Sequence, residues 1–376
     1  PDRLTYGGRV ELDLNVANAW DLDVGLDHQS DQHRIRRTMN ENAVPFESLN
    51  RSPNATFHQT GAFVETAYAI TRETRLYGGL RADHWTGRDQ RSNIRVGMQG
   101  SAPNPTAEQE RTEVLLGAFT RIEHDLAADS TVFIGVGHTE RFPDYWELIA
   151  PEGAFSLSAF QLDPEATTQV DLGWLRQTGP VDLSVSAFAN HIGDYILIQR
   201  NTPKPGGMMG GTRAATVARN IDARSYGGEL SVGLELGENW RSDISVTAVH
   251  GTNSTDDRPL AQMPPLEGRV GLTYQRPTWS AGVLWRMVAA QDRVAIDQGN
   301  IVGQDIGPSP AFDVVSLNAS WAPTDRLRVS AGIDNVFDTT YAEHISRGGS
   351  AVAGFIQTTR VNEPGRFAWV KCDFQY

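Results

Sequence analysis

The chain has 376 residues, 39% of them hydrophobic and 21% charged, and its 46 acids against 33 bases leave a net charge of −13. That balance excludes the basic stripe of a nucleic-acid binder, the single cysteine excludes an internal disulfide framework, and the lack of any 18-residue apolar run excludes a transmembrane helix. Length and a negative mean hydropathy taken alone suggest two soluble domains, but a transmembrane β-barrel escapes both inferences, because its apolar residues alternate instead of clustering.

Alternation at period two dominates the chain. A first strand is expected at about 4–14. In the second, about 20–38, Trp20, Leu22, Val24 and Leu26 alternate with Asp21, Asp23, Gly25 and Asp27. Strands at about 57–71 and 74–91 follow; in the latter Leu76, Gly78, Leu80 and Ala82 alternate with Tyr77, Gly79, Arg81 and Asp83. The pattern continues at about 111–127, 130–141, 164–178 and 181–199, where Val181, Leu183, Val185, Ala187 and Ala189 form one row and Asp182, Ser184, Ser186, Phe188 and Asn190 the other. Further strands are expected at about 217–236, 239–253, 263–276, 279–295, 310–323, 326–341 and 364–376. No segment sustains a helical i, i+3, i+4, i+7 pattern.

The connections carry a second signal. Tight turns at Asn15–Ala19, Arg72–Glu73, Ala128–Ser130, Gly179–Pro180, Gly237–Asn239, Arg276–Thr278 and Pro323–Asp325 alternate strictly with long polar segments near 39–56, 92–110, 142–163, 200–216, 251–262, 296–309 and 342–362. An up-and-down sheet with short turns on one side and long loops on the other gives this pattern, as outer-membrane barrels do. A soluble sandwich is the competing reading, but its strands are usually about 3–10 residues. Tyr6, Tyr68, Trp174, Trp240, Trp279 and Trp321 are expected beside the short turns, as an interfacial girdle. The fold class is therefore all-β, an antiparallel transmembrane β-barrel of about 15 strands.

The last strand places Ala368, Val370, Cys372, Phe374 and Tyr376 on one row and Lys371, Asp373 and Gln375 on the other. It resembles the C-terminal β-signal of outer-membrane proteins, which the barrel assembly machinery reads. Four stretches resemble TonB-dependent receptors. Thr139-Glu140-Arg141-Phe142-Pro143-Asp144-Tyr145-Trp146-Glu147-Leu148 is similar to the family's R-x-P-x-x-x-E-L element. Asn220–Glu229 and Met263-Pro264-Pro265 come next. Gly332-Ile333-Asp334-Asn335-Val336-Phe337-Asp338-Thr339-Thr340-Tyr341 is similar to the N-L-F-D-x-x-Y element. Within that family the opening Pro1–Arg9, the segment Tyr341–Gly349 and the ending Thr359–Arg366 look most like the TonB-dependent copper receptors. The other readings are a receptor for an iron-siderophore or cobalamin-type ligand, or a passive outer-membrane channel.

The resemblance implies an outer-membrane transporter with no prosthetic group, carrying copper as its ligand. It would be energised by TonB–ExbB–ExbD through a plug, and embedded in outer-membrane lipid. Such transporters close with about 22 strands around a plugged lumen. Residues 1–376 are therefore expected to be the C-terminal part of the barrel, with the plug and early strands on the N-terminal side of Pro1. An open sheet would leave edges that lipid does not tolerate.

Copper prefers Cys, Met and His. Cys372 is expected on the lipid row, away from any metal. Met208 and Met209, in the run Gly206–Gly211, are candidates for transient Cu(I) capture, and His344 is a further loop candidate. His28, His33, His58, His84, His138 and His191 fall near the long-loop ends of strands with no tight ligand spacing, so they are read as solvated. Asp144, Glu147 and Glu152 are expected to order a loop. No G-x-S-x-G, H-E-x-x-H or Walker-type loop occurs, so no enzyme is expected.

Overall fold

A computed structural model of the chain describes residues 2–35, 52–96, 100–149, 159–205, 212–299, 304–349 and 359–375. Its strands are β1 Asp2–Ala17, β2 Trp20–Ile35, β3 Ser52–Ala69, β4 Thr74–Asp89, β5 Asn93–Val96, β6 Gly100–Pro103, β7 Glu110–Ala127, β8 Ser130–Arg141, β9 Glu165–Thr178, β10 Val181–Pro205, β11 Thr212–Glu235, β12 Trp240–Asn253, β13 Arg258–Pro259, β14 Glu267–Gln275, β15 Trp279–Val288, β16 Phe312–Thr324, β17 Leu327–Asp334 and β18 Phe367–Phe374. One sheet takes them in chain order from β1 to β18, with β13 paired only to β12 and with β5 and β6 forming a separate hairpin. The fifteen strands of that path correspond one to one to the fifteen read from alternation. The long connections hold what alternation does not reveal: the β5–β6 hairpin, the one-turn helix α1 Tyr145–Leu148 and a single 3-10 turn at Ala159–Gln161.

Several strand boundaries differ from expectation: β3 begins at Ser52 instead of 57, β10 runs on to Pro205 instead of 199, β11 begins at Thr212 instead of 217, and β18 is shorter at both ends; three further shifts have a cause in the backbone. The strand expected at 263–276 begins at Glu267, because Pro264 and Pro265 have no N–H to give a ladder. Its partner then stops at Val288, which pairs with Glu267, instead of running on to residue 295. The strand expected at 326–341 ends at Asp334, because Asn335 (φ 51°) and Asp338 (φ 57°) turn the chain through the left-handed region. Tyr6 also departs from expectation. It pairs with Ser30, far from the short turn at which Ala17 meets Trp20.

Two compact units divide the strands. The first comprises Pro1–Ile122, Gly135–Gln169 and His191–Ala223; the second comprises Glu123–Ile134, Val170–Asn190 and Arg224–Tyr376. In the first unit the apolar row is exposed, as at Val10, Leu26, Leu80 and Leu116. The opposite row is polar and tiled. Arg81 forks onto Asp27 (2.7 and 2.8 Å) and Asp83 (2.7 and 2.6 Å). Its guanidinium lies over Gly61, where a Cβ would come within 2.2 Å of Nη2. Phe63 covers Gly25 in the same way. In the second unit Arg241 binds Asp182, Glu235 and Asp243 across Gly233, beside a cavity of about 860 Å³ that Asp129, Thr131, Arg176 and Arg269 also line. Apolar residues on one row and bridged charges on the other suit a wall between lipid and a wet interior.

Candidate functional site

Besides the Arg241 cluster, which flanks the short turns, each unit carries polar clusters at the long-loop ends of its strands that fix loops. In the first unit the chain leaves β8 at Arg141, and Pro143 is fully buried. Asp144 caps α1: its carboxylate accepts from Glu147 N (2.8 Å), and Glu147 accepts from Asp144 N (2.9 Å), a reciprocal capping box. Arg141 then forks onto Glu147 (2.7 and 3.1 Å) and reaches Glu165 on β9 (3.2 Å). Leu148 and Ile149 are buried, with Phe57, Trp85, Phe142 and Phe160, in one apolar cluster. Tyr145 stacks on His33 at 4.1 Å, and Asn54 donates to its hydroxyl.

Around this cluster two more arginines fasten backbone. Arg91 pairs with the buried Asp89 (2.7 Å) and donates to Ile149 O (3.1 Å). Asp89 also accepts from Asn104 and Thr106. Arg111 donates to Phe160 O and Leu162 O. The Arg141–Leu148 element thus folds its own loop start onto the wall, and Asp144 and Glu147 do order a loop. Glu152 lies outside the described residues.

In the second unit Asn335 closes the turn after β17: its side chain donates to Thr339 O and accepts from Thr339 N, each at 2.8 Å. Asp338 accepts from Arg366 N (2.8 Å). Phe337 is exposed. Tyr341 packs on Phe312 at 4.4 Å, and Arg286 bridges Glu267 (2.7 Å) to Glu343 (2.5 Å).

His344 follows, buried. Its Nδ1 is hydrogen-bonded to Ser309 Oγ (3.0 Å), and its Nε2 has no hydrogen-bond partner among the described residues. Asp305 Oδ1 stands 4.0 Å from Nε2. Arg360 donates to His344 O, Pro308 O and Gly307 O. Burial holds the imidazole below its ordinary value; Asp305 pulls the other way and Arg360 adds to the depression. The arrangement is a polar knot joining the connections 289–311 and 335–366. It leaves His344 Nε2 buried without a hydrogen-bond partner among the described residues, and among those residues no three His, Cys, Asp or Glu are grouped to hold a metal. One imidazole is a poor cage but a usable single contact for a soft cation.

Met208 and Met209 lie outside the described residues, as does Tyr376. On β18, Val370 and Phe374 are exposed, and Cys372 is an exposed free thiol facing Val329 across the ladder. The candidate copper ligands are therefore not brought together among the described residues. Asp89 with its three side-chain donors and the Asp305–Arg360 knot were not foreseen. Only the Asp144-x-x-Glu147 spacing could have announced the capping box in advance.

With this geometry in view, the relatives become informative. The family model "TonB dependent receptor-like, beta-barrel" matches residues 2–336. The "Ferric-pyoverdine 358 receptor" of Pseudomonas putida is 21% identical over 299 residues, covering 77% of this chain and 33% of that protein. The "Pesticin receptor" of Yersinia enterocolitica is 23% identical over 352 residues, covering 90% of this chain and 48% of that one. Among solved structures, the "Copper transporter OprC" is 40% identical with a TM-score of 0.90, covering 100% of this chain and 57% of that chain. The FrpB iron transporter of Neisseria meningitidis is 16% identical with a TM-score of 0.69, covering 99% and 56%; it shares the fold. The chain spans less than half the length of these curated relatives and 57% of the copper transporter.

Proposed function

This chain belongs to the TonB-dependent receptor β-barrel family, and from that premise we propose that it forms the barrel wall and loop anchors of an outer-membrane receptor for copper. The observation that carries the cargo is the 40% identity to a copper transporter over the whole chain, against 16% for an iron transporter of the same fold. Partial coverage of these relatives supports reading residues 1–376 as the C-terminal part of the barrel within a longer polypeptide. The plug and first strands would stand on the N-terminal side of Pro1. TonB, driven by ExbB and ExbD, would pull on that plug.

In this reading the chain does no covalent chemistry. Its acids give the interior wall and loops a field that favours cations, its fastened loop starts hold the long-loop ends of the strands, and Met208, Met209 and His344 are the candidate soft contacts for the metal. Val370, Cys372 and Phe374 on β18, with Tyr376 after them in the sequence, would be the segment the assembly machinery reads.

The test uses the full-length receptor, purified after growth with copper, iron or neither, and analysed for bound metal. Copper enrichment supports the reading; iron enrichment overturns it in favour of the siderophore-receptor alternative that the curated relatives suggest. Replacing Met208 and Met209 together by Leu should lower uptake at limiting copper. Unchanged uptake removes them from the route.

A further inference from the structure

The two ends of the exposed apolar row carry different chemistry. At the short-turn end stand Trp20 and Tyr68, which face each other across β2 and β3. At the long-loop end of the rows of β2, β4, β8 and β10 a histidine follows the apolar run; β1, β7, β9 and β11 carry none there, and His124 on the β7 row stands toward the short turn. On β2 Val24 and Leu26 are followed by His28; on β4 Leu80 and Ala82 by His84; on β8 Ile134 and Val136 by His138; on β10 Ala187 and Ala189 by His191. On β3, which runs the other way, His58 comes before Thr60, Ala62 and Val64. All five lie in the first unit. The second unit repeats the pattern within β12, where Trp240 starts the row and His250 follows Val246 and Ala248.

The register ties the histidines of β2, β3 and β4 together. His28 pairs with Thr60, which pairs with His84. His28 Nδ1 is hydrogen-bonded to Thr60 Oγ1 (2.8 Å), and His138 Nδ1 to Thr168 Oγ1 (2.9 Å). The His28 and His58 rings stack at 6.2 Å. His28, His84 and His191 are exposed, and His58 and His138 half-buried. Glu140, the next residue on the row of His138, stands 3.6 Å from its Nε2. The apolar residues below are open to their surroundings: Leu26 is 62% exposed, Leu80 63% and Ile134 56%.

Along the strand, Trp20 to His28 and Tyr68 to His58 are about 26 and about 33 Å at ~3.3 Å per residue. A tilt of ~40° reduces these to about 20 and about 25 Å, the height of the apolar band of an outer-membrane barrel. The histidines therefore stand where hydrocarbon gives way to headgroups on the outer side.

We propose that this tier is a binding surface for the phosphate-bearing headgroups of the glycolipid in the outer leaflet, each imidazole donating a hydrogen bond to a phosphate oxygen. Indole at the opposite rim only donates and suits ester carbonyls. Imidazole presents a second nitrogen once the first is fixed by a threonine, and it forms charge-assisted bonds to phosphate oxygens. A metal chelate is the other chemistry histidines offer. Among the described residues no three ligand-type side chains converge, which favours single contacts repeated around a lipid shell. The inference rests on placement in the outer membrane and not on copper as cargo.

The experiment uses the full-length receptor in detergent, with two probes: a bisphosphorylated glucosamine-disaccharide lipid and the same lipid with its phosphates removed. Retention is read by native mass spectrometry. The wild type should hold the phosphorylated lipid at least about tenfold more tightly, the worth of one hydrogen bond to a charged group. A variant with His28, His84, His138 and His191 all changed to Phe keeps an interfacial aromatic and should lose most of that preference. The corresponding Arg variant should keep it. Copper uptake should stay unchanged in both. Equal retention of the two lipids by the wild type overturns the proposal, as does an undiminished preference in the Phe variant. Loss of bound copper with lipid retention intact also overturns it and assigns the tier to metal. If the Phe variant does not insert, the wild-type ratio and the Arg variant still decide.

Discussion

Removing the Glu147 carboxylate should loosen α1 from the wall by an amount that can be worked out in advance. Glu147 is 7% exposed and accepts from both Arg141 terminal nitrogens and from Asp144 N. Losing the capping-box acceptor costs about 1 kcal/mol. The charge-assisted fork is worth about 1.5–3 kcal/mol when sheltered. Arg141 is 44% exposed on its side chain and keeps Glu165 as a partner, so solvent screening cuts that share to about 1–2 kcal/mol. Glu147→Ala should therefore cost about 2–3 kcal/mol locally. The readout is hydrogen exchange of the Leu148 and Ile149 amides, which donate to Asp144 O (2.8 Å) and Tyr145 O (3.0 Å). Their exchange should accelerate roughly 30- to 150-fold. Glu147→Gln retains an acceptor for the Asp144 amide and should accelerate exchange only about tenfold. Exchange within about threefold of wild type in the Ala variant would refute the claim that this ion pair fastens the loop start.

Gly25→Val should lower the midpoint of heat-induced unfolding. A Cβ there lies 2.1 Å from Phe63 Cζ, the ring is already held beneath Arg9 at 4.2 Å, and overpacking of this kind costs about 1–3 kcal/mol. Gly8→Val, where nothing lies within 4 Å, should leave the midpoint in place; equal effects would sink the tiling argument. Acid should loosen the knot around His344. Its folded-state value lies below the ordinary one, so the folded form favours neutral imidazole, and stability present above about pH 6.5 is lost as the pH falls below it. Exchange protection at the Ser309 and Val361 amides should weaken between pH 7.5 and 5 after correction for intrinsic rates. His344→Gln, which does not titrate, should flatten that dependence, and a profile identical to wild type would remove His344 as its source.

The strand path was legible because one side of each strand meets an apolar phase and the other a polar one, so every second residue reports its face. Leu76 through Asp83 is readable for that reason alone. The ends of strands were legible only where backbone chemistry announces them. Pro264 and Pro265 carry such a signal, since neither can donate to a ladder and the strand starts only at Glu267. Asn335 and Asp338 carried a weaker one, since Asn and Asp tolerate left-handed backbone. The loop anchors were not legible. Arg91 reaches Ile149 O and Arg111 reaches Leu162 O, contacts set by tertiary packing between residues far apart in the chain, which no local period encodes. Tyr6 differs for a simpler reason: it stands nine residues before the turn at Asn15–Ala19, so its place in the sequence already sets it away from that rim.

The same contacts give the imbalance of two lysines against 31 arginines a structural use. Arg81 holds carboxylates on β2 and β4 at once, Arg241 gathers three, Arg286 spans β14 and the segment after β17, and Arg360 meets three carbonyls. Each needs several donors in a fixed plane, which a guanidinium supplies and a single ammonium does not. A lysine at Arg241 would satisfy one carboxylate well and leave two others facing one another across a wet interior. On a wall whose inward row is rich in acids, the planar fork lets like charges on adjacent strands stand side by side, and the glycines beneath Arg81 and Arg241 give the forks room to lie flat. Charge, glycine content and arginine bias are thus parts of one device for lining a polar interior.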